Sequence, residues 1–158
     1  MSEMLLEKKT AQLLLKHRKT VSLAESCTGG LLGHLLTNTP GSSEYFKLGL
    51  VTYSYEAKEK LLKIPRSLLL KHGAVSAPVT KLMAQNVRKI LKTDFSVSIT
   101  GIAGPGGATK TKPLGLTYIA VASSRKTVCR KFIFRGGRLA VKKQAAQKTL
   151  QFLLEFLR

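Results

Sequence analysis

Residues 20–36 pass from a strand-like run through a turn with two glycines into an apolar helical run, with no linker between them. Thr20-Val21-Ser22-Leu23-Ala24 has the β-branched and apolar residues of a strand, and Leu31-Leu32-Gly33-His34-Leu35-Leu36 is apolar at helical spacing. A strand that turns directly into a helix is the unit of a layered α/β domain. The connecting heptapeptide, Ala24-Glu25-Ser26-Cys27-Thr28-Gly29-Gly30, places a hydroxyl and a thiol side by side at that turn. Its glycines allow backbone N–H groups to approach a ligand without a Cβ in the way. The start of a helix also offers unpaired N–H donors and a partial positive charge, which suit a phosphate or an oxyanion. The same residues read equally as a Ser or Thr N-cap followed by a tight glycine turn.

The rest of the chain extends the pattern. Residues 3–18 carry Leu5, Leu6, Ala11, Leu14 and Leu15 at mostly helical spacing, and Asn38-Thr39-Pro40-Gly41 ends the second helix. Residues 46–53 are rich in strand formers, 56–62 turn helical, and Pro65 opens a short helix broken at Gly73. Pro78 opens a longer one to Lys92, with Val79, Leu82, Met83, Val87, Ile90 and Leu91 on its apolar side. Residues 95–100 alternate as a strand, and 116–123 with 127–134 predict a hairpin through Ser124-Arg125-Lys126. A last helix runs from about Leu139 to the end. Early strands alternate with helices and late ones pair locally, which predicts a single α/β domain with a mixed sheet.

Composition narrows the function classes. The 158 residues are 44% hydrophobic, enough for a substantial core and against disorder. No apolar run approaches the roughly 18–20 residues of a membrane span. The first nine residues place acids early and lack the apolar core of a signal peptide. Two cysteines, Cys27 and Cys129, support neither a disulfide scaffold nor a zinc site. A cytoplasmic protein is expected. The formal charge of +19 permits attraction to nucleic acid, anionic membrane or phosphorylated metabolites. The cations are spread from Lys8 to Arg158, however, and aromatics for base stacking are few, so solvated lysines are the favoured reading.

Three segments carry small, polar or basic residues just beyond a strand: 26–30, 52–58 and 100–112. In open α/β sheets ligands gather outside the carboxyl ends of strands, so one site built from all three is expected. The loop from Gly101 matches neither G-x-x-x-x-G-K-[ST] nor G-x-G-x-x-G, since Gly107 and Thr109 fall where those patterns need lysine and glycine. A Ser-His-Asp triad is hard to assemble from His17, His34, His72 and Asp94. A serine can instead be activated by a neutral lysine, and burial or neighbouring cations lower a lysine pKa. Lys58 lies one helical turn beyond a strand end; as a sequence position it also reads as a solvated helix lysine, as Lys60 and Lys63 do.

Six segments occur in order: Ala-Glu-Ser-Cys-Thr-Gly-Gly at 24–30, Pro-Gly-Ser-Ser at 40–43, Val-Thr-Tyr-Ser at 51–54 with Ala57-Lys58, His-Gly-Ala-Val-Ser at 72–76, Gly-Ile-Ala-Gly-Pro at 101–105 and Lys-Pro-Leu-Gly at 112–115. Over about residues 5–155 the chain strongly resembles the CinA C-terminal domain family, whose stand-alone members include nicotinamide-nucleotide amidases. The resemblance implies a single three-layer α/β/α domain over residues 1–158 with a mixed, mainly parallel sheet. It leaves no room for the additional N-terminal domain of the larger CinA proteins. It also implies deamidation of nicotinamide mononucleotide to nicotinic acid mononucleotide and ammonia, without metal or organic cofactor, by a homodimer. Ser26 falls on the family's nucleophile, Lys58 on its general base, and Tyr53 within its Val-Thr-Tyr-Ser motif. Thr28, Gly29, Gly30, Ser42, Thr100, Gly101, Gly104, Lys112 and Arg138 are the expected substrate contacts. Cys27 is the rival nucleophile. The chain departs from the family pattern at Gly137, where the family has an acid, at Lys142, usually arginine, and in the 108–111 segment, where acids are frequent. A non-catalytic module binding a nucleotide or nucleic acid is the alternative; no membrane partner is expected.

Overall fold

The computed structural model describes residues 4–158. Glu3, expected to begin the first helix, lies outside the described residues. Six helices and five strands follow in the order α1 (Leu6–His17), β1 (Val21–Glu25), α2 (Leu31–Thr37), β2 (Phe46–Val51), α3 (Tyr55–Leu62), α4 (Arg66–His72), α5 (Ala77–Leu91), β3 (Phe95–Gly101), β4 (Leu116–Ser123), β5 (Thr127–Ile133) and α6 (Arg138–Leu157). The sheet order is β2-β1-β3-β4-β5. β1 pairs in parallel with β2 and β3, whereas β4 is antiparallel to both β3 and β5. Four strands therefore point one way and β4 alone opposes them, the mixed, mainly parallel sheet expected from the sequence.

Helices cover both faces and bury the central strands on both sides. Val21, Leu23, Val97, Ile99, Ile119 and Val121 meet α1, α2 and α6 on one face. On the other, Ala24 packs with Leu62, Leu69, Val79, Met83 and Val87. The alternation of β3 does not produce a wet face. Ser96 Oγ and Ser98 Oγ are buried and donate to the carbonyls of Ala84 and Thr80 on α5 at 2.6 Å, so both serine hydroxyls of this strand have a partner. Ala84, Ala120 and Ala122 let α5 lie close against this face. Among the described residues, no helix is long and apolar enough to cross a membrane.

This topology decides where chemistry can occur. β1, β2 and β3 end side by side, and the chain leaving each one opens the turn at Ser26, the approach to α3 or the glycine loop from Gly101. Ser54 caps α3, its Oγ accepting from the Ala57 amide at 3.0 Å, which sets Lys58 in the first turn of that helix.

Candidate active site

A cleft of about 250 Å³ opens at the carboxyl ends of β1, β2 and β3. Its walls are Ser26 and Cys27 from the first turn, Tyr53 and Lys58 from the second segment, Ala74 and Val75, the loop residues Gly101, Ile102, Ala103 and Gly104, and Arg138 from α6. A larger cleft of about 600 Å³, lined by Lys19, Asp94 and the β4–β5 turn, lies at the opposite end of the sheet, away from Ser26 and Lys58.

Lys58 Nζ lies 3.0 Å from Ser26 Oγ and donates to the carbonyl of Thr52 at 2.5 Å. The lysine is 1% exposed. Burial, which disfavours the charged form, lowers its pKa from 10.5 to about 8. The same burial pushes the Cys27 thiol up to about 11, so it stays protonated at neutral pH. Two adjacent side chains with nucleophilic potential are thereby separated: the hydroxyl has a base within reach, and the thiol holds its proton.

Glu25 is 2% exposed and makes no bond to the lysine. Its carboxylate accepts from Thr28 Oγ1 at 2.7 Å, from the Leu32 amide at 2.9 Å and from the Gly33 amide at 3.0 Å. The helix start that the sequence offers to an external anion is thus filled by the chain's own acid. Thr28 serves that network through its side chain. Gly29 and Gly30 both take left-handed φ values, 59° and 102°, which a side chain would strain. The Gly29 amide is bonded to Ser26 O at 3.0 Å; among the described residues, the amides of Thr28 and Gly30 have no partner.

Arg138 spans the rim. It donates to Gly104 O at 2.8 Å and to the Tyr53 hydroxyl at 2.9 Å, joining the start of the second segment to the glycine loop. Lys142, one turn further along α6, places its Nζ 3.7 Å from where a Gly29 Cβ would lie.

The other expected contacts fall less closely together. Gly101 lines the cleft, but the Thr100 side chain is buried beneath it and bonds Thr80 Oγ1 at 2.8 Å. Ser42 sits in a short 3₁₀ turn before β2, at the amino end of the sheet and away from Ser26. Lys112 is outside the lining and donates to His72 O. The sequence reading gave no role to Glu25, to the Thr52 carbonyl or to Ala74 and Val75. The acid stood inside the first motif, while a carbonyl acceptor leaves no signal in side-chain identity.

Gly101 leaves no room for a side chain between Cys27 and Thr117. A Cβ there would lie 2.9 Å from Cys27 Sγ and 2.9 Å from Thr117 Oγ1. Gly101→Ala is expected to cost about 1–3 kcal/mol by overpacking and to displace the Ser26 turn. Gly106→Ala, with nothing within 4 Å, is the control. Thermal melts on both variants check this; an unchanged value for Gly101→Ala would show that the turn yields freely.

The CinA C-terminal domain profile matches residues 3–157. A CinA-like protein of Syntrophus aciditrophicus is 48% identical over 96% of this chain, and one of Endomicrobium trichonymphae 49% identical over 90%. The chain spans 36% and 33% of their lengths, about a third of each. Among solved structures, the competence/damage inducible protein CihA from Agrobacterium tumefaciens superposes with a TM-score of 0.94 at 30% identity, covering 99% of this chain and 100% of that one. The competence damage-inducible protein A from Klebsiella pneumoniae gives 0.93 at 29% identity, covering 96% and 94%. Together with the sheet order and the six ordered motifs, these matches show that the chain belongs to the CinA C-terminal domain family.

Proposed function

We propose that this protein is an amidohydrolase that deamidates nicotinamide mononucleotide through a Ser26–Lys58 dyad. The observation that carries the reading is a buried amine with a lowered pKa, 3.0 Å from a serine hydroxyl at the floor of a cleft. A neutral amine has two N–H bonds and one lone pair. The Thr52 carbonyl takes one N–H, which leaves the lone pair available to accept the Ser26 proton.

Ser26 Oγ attacks the carboxamide carbon as its proton passes to Lys58 Nζ. The unpartnered amides of the turn, Thr28 and Gly30, are the donors available to the negative charge that develops on the carbonyl oxygen, each such donor contributing about 10²–10³ in rate. The C–N bond breaks as Lys58 returns the proton to the leaving nitrogen, which departs as ammonia. Water then attacks the acyl-serine with Lys58 as base, the ester C–O bond breaks, and Ser26 regains its proton. Arg138 and Lys142, with no acid opposing them at the cleft, are the groups suited to the substrate phosphate.

Ammonia release from a panel of nicotinamide mononucleotide, its riboside and other carboxamides tests the reading. Turnover of the nucleotide is expected. No release from any carboxamide, with salt-sensitive nucleic-acid binding instead, would favour a binding module.

A further inference from the structure

Lys112 was expected to contact substrate, yet its amine is occupied elsewhere. The loop 102–115 is closed at its base by Gly115 N donating to Ile102 O at 2.8 Å. Its far part is braced by two bonds, Thr109 N to Lys112 O at 2.9 Å and Lys112 N to Thr109 Oγ1 at 3.1 Å. From that brace the lysine side chain crosses to the other wall of the cleft, where Nζ donates to His72 O at 2.5 Å. The acceptor is the last residue of α4, so the cation also meets the negative end of a helix.

The opposite wall is shaped to receive it. A Cβ on Gly73 would lie 2.8 Å from Lys112 Nζ, so the amine occupies the space that a side chain there would fill. The next residues, Ala74 and Val75, line the cleft, and the Ala74 amide donates to Tyr55 Oη at 3.2 Å. Across from them stand Ile102, Ala103 and Gly104 of the loop. Lys112 is therefore the side chain that links the outer part of one wall to the start of the other.

We propose that Lys112 is a positioning residue: it ties the glycine loop to the 73–75 segment and so sets how closely the cleft holds its substrate, without touching that substrate itself. The kinetic consequence rests on the amidase reading above; the tie does not. Hydrogen exchange on the ligand-free protein tests the tie directly, comparing wild type, Lys112→Met and Lys110→Met, the last removing an exposed cation from the same loop. Loss of a charge-assisted bond is expected to speed exchange at 103–111 and 73–75 by about tenfold in Lys112→Met, with Lys110→Met like wild type. KM for nicotinamide mononucleotide and for its riboside should both rise about tenfold, with kcat within about twofold, because the dyad is untouched. Unchanged exchange overturns the proposal whatever the kinetics. Faster exchange with unchanged KM overturns it too, since the tie would then not serve the substrate. A rise in KM confined to the phosphorylated substrate, with exchange unchanged, assigns Lys112 to the phosphate instead. If wild type hydrolyses no nucleotide amide, exchange still decides whether the tie exists, so the two failures are distinguishable.

Discussion

Lys58→Met is expected to abolish amide hydrolysis and, at pH 7, to raise the stability of the fold. Burial costs the ammonium form the difference between 10.5 and about 8, on the order of 3 kcal/mol at about 1.4 kcal/mol per pH unit. Methionine fills a similar volume without a charge. Part of the gain is offset because the Thr52 carbonyl loses its donor, leaving a net of about 1–2 kcal/mol. The sign follows from proton binding. Between pH 8 and 10.5 the unfolded chain holds the lysine proton and the folded chain has released it, so wild-type stability rises with pH across that window. The advantage of Lys58→Met should therefore be full below pH 8 and shrink above it. Melting curves at pH 7 and pH 10 read this directly, and a methionine variant less stable than wild type at pH 7 would show that the amine is not under such strain. Lys58→Arg keeps a charge that cannot be given up, so it should be inactive and no more stable than wild type. An active arginine variant would make residue 58 an electrostatic contact and place the base elsewhere.

Ser26→Ala is expected to lower turnover by at least about 10³-fold, the scale of losing a nucleophile whose partner groups remain in place. The fold should hardly notice. Among the described residues, the only side-chain partner of Ser26 Oγ is Lys58, which keeps its bond to Thr52 O. The first amides of α2 are capped by Glu25, which Thr28 Oγ1 holds in place, not by Ser26. A loss of about 2 kcal/mol would instead mark the hydroxyl as a structural cap. Retained activity would promote Cys27, at odds with a thiol held protonated by its burial.

The layered fold was legible because its signals are local. Apolar runs, Pro65, Pro78 and the glycine turns delimit α2, α4, α5 and the β4–β5 hairpin closely to where the structure has them. The site was less so. A lysine in the first turn of a helix reads as solvated, whereas Lys58 is buried with its amine between Ser26 Oγ and the Thr52 carbonyl; the pairing came from family resemblance, not from spacing. The start of α2 read as an anion site, but the acid that fills it was already in the chain at Glu25. Thr100 and Lys112 sit in segments that do build the cleft, yet a side chain's direction depends on strand parity and on cross-chain contacts. Ser42 lies in a recognisable motif at the wrong end of a strand, which only the parallel register of β1 and β2 reveals.

The most direct test of the Ser26–Lys58 account is the pH dependence of kcat/KM for ammonia release from nicotinamide mononucleotide, which reports ionisations in the free enzyme. A base that must be neutral predicts a rise of about 100-fold from pH 6 to a plateau, with a midpoint near the lowered lysine pKa of about 8. A profile flat from pH 6 to 9, or one falling as pH rises through 8, would contradict it.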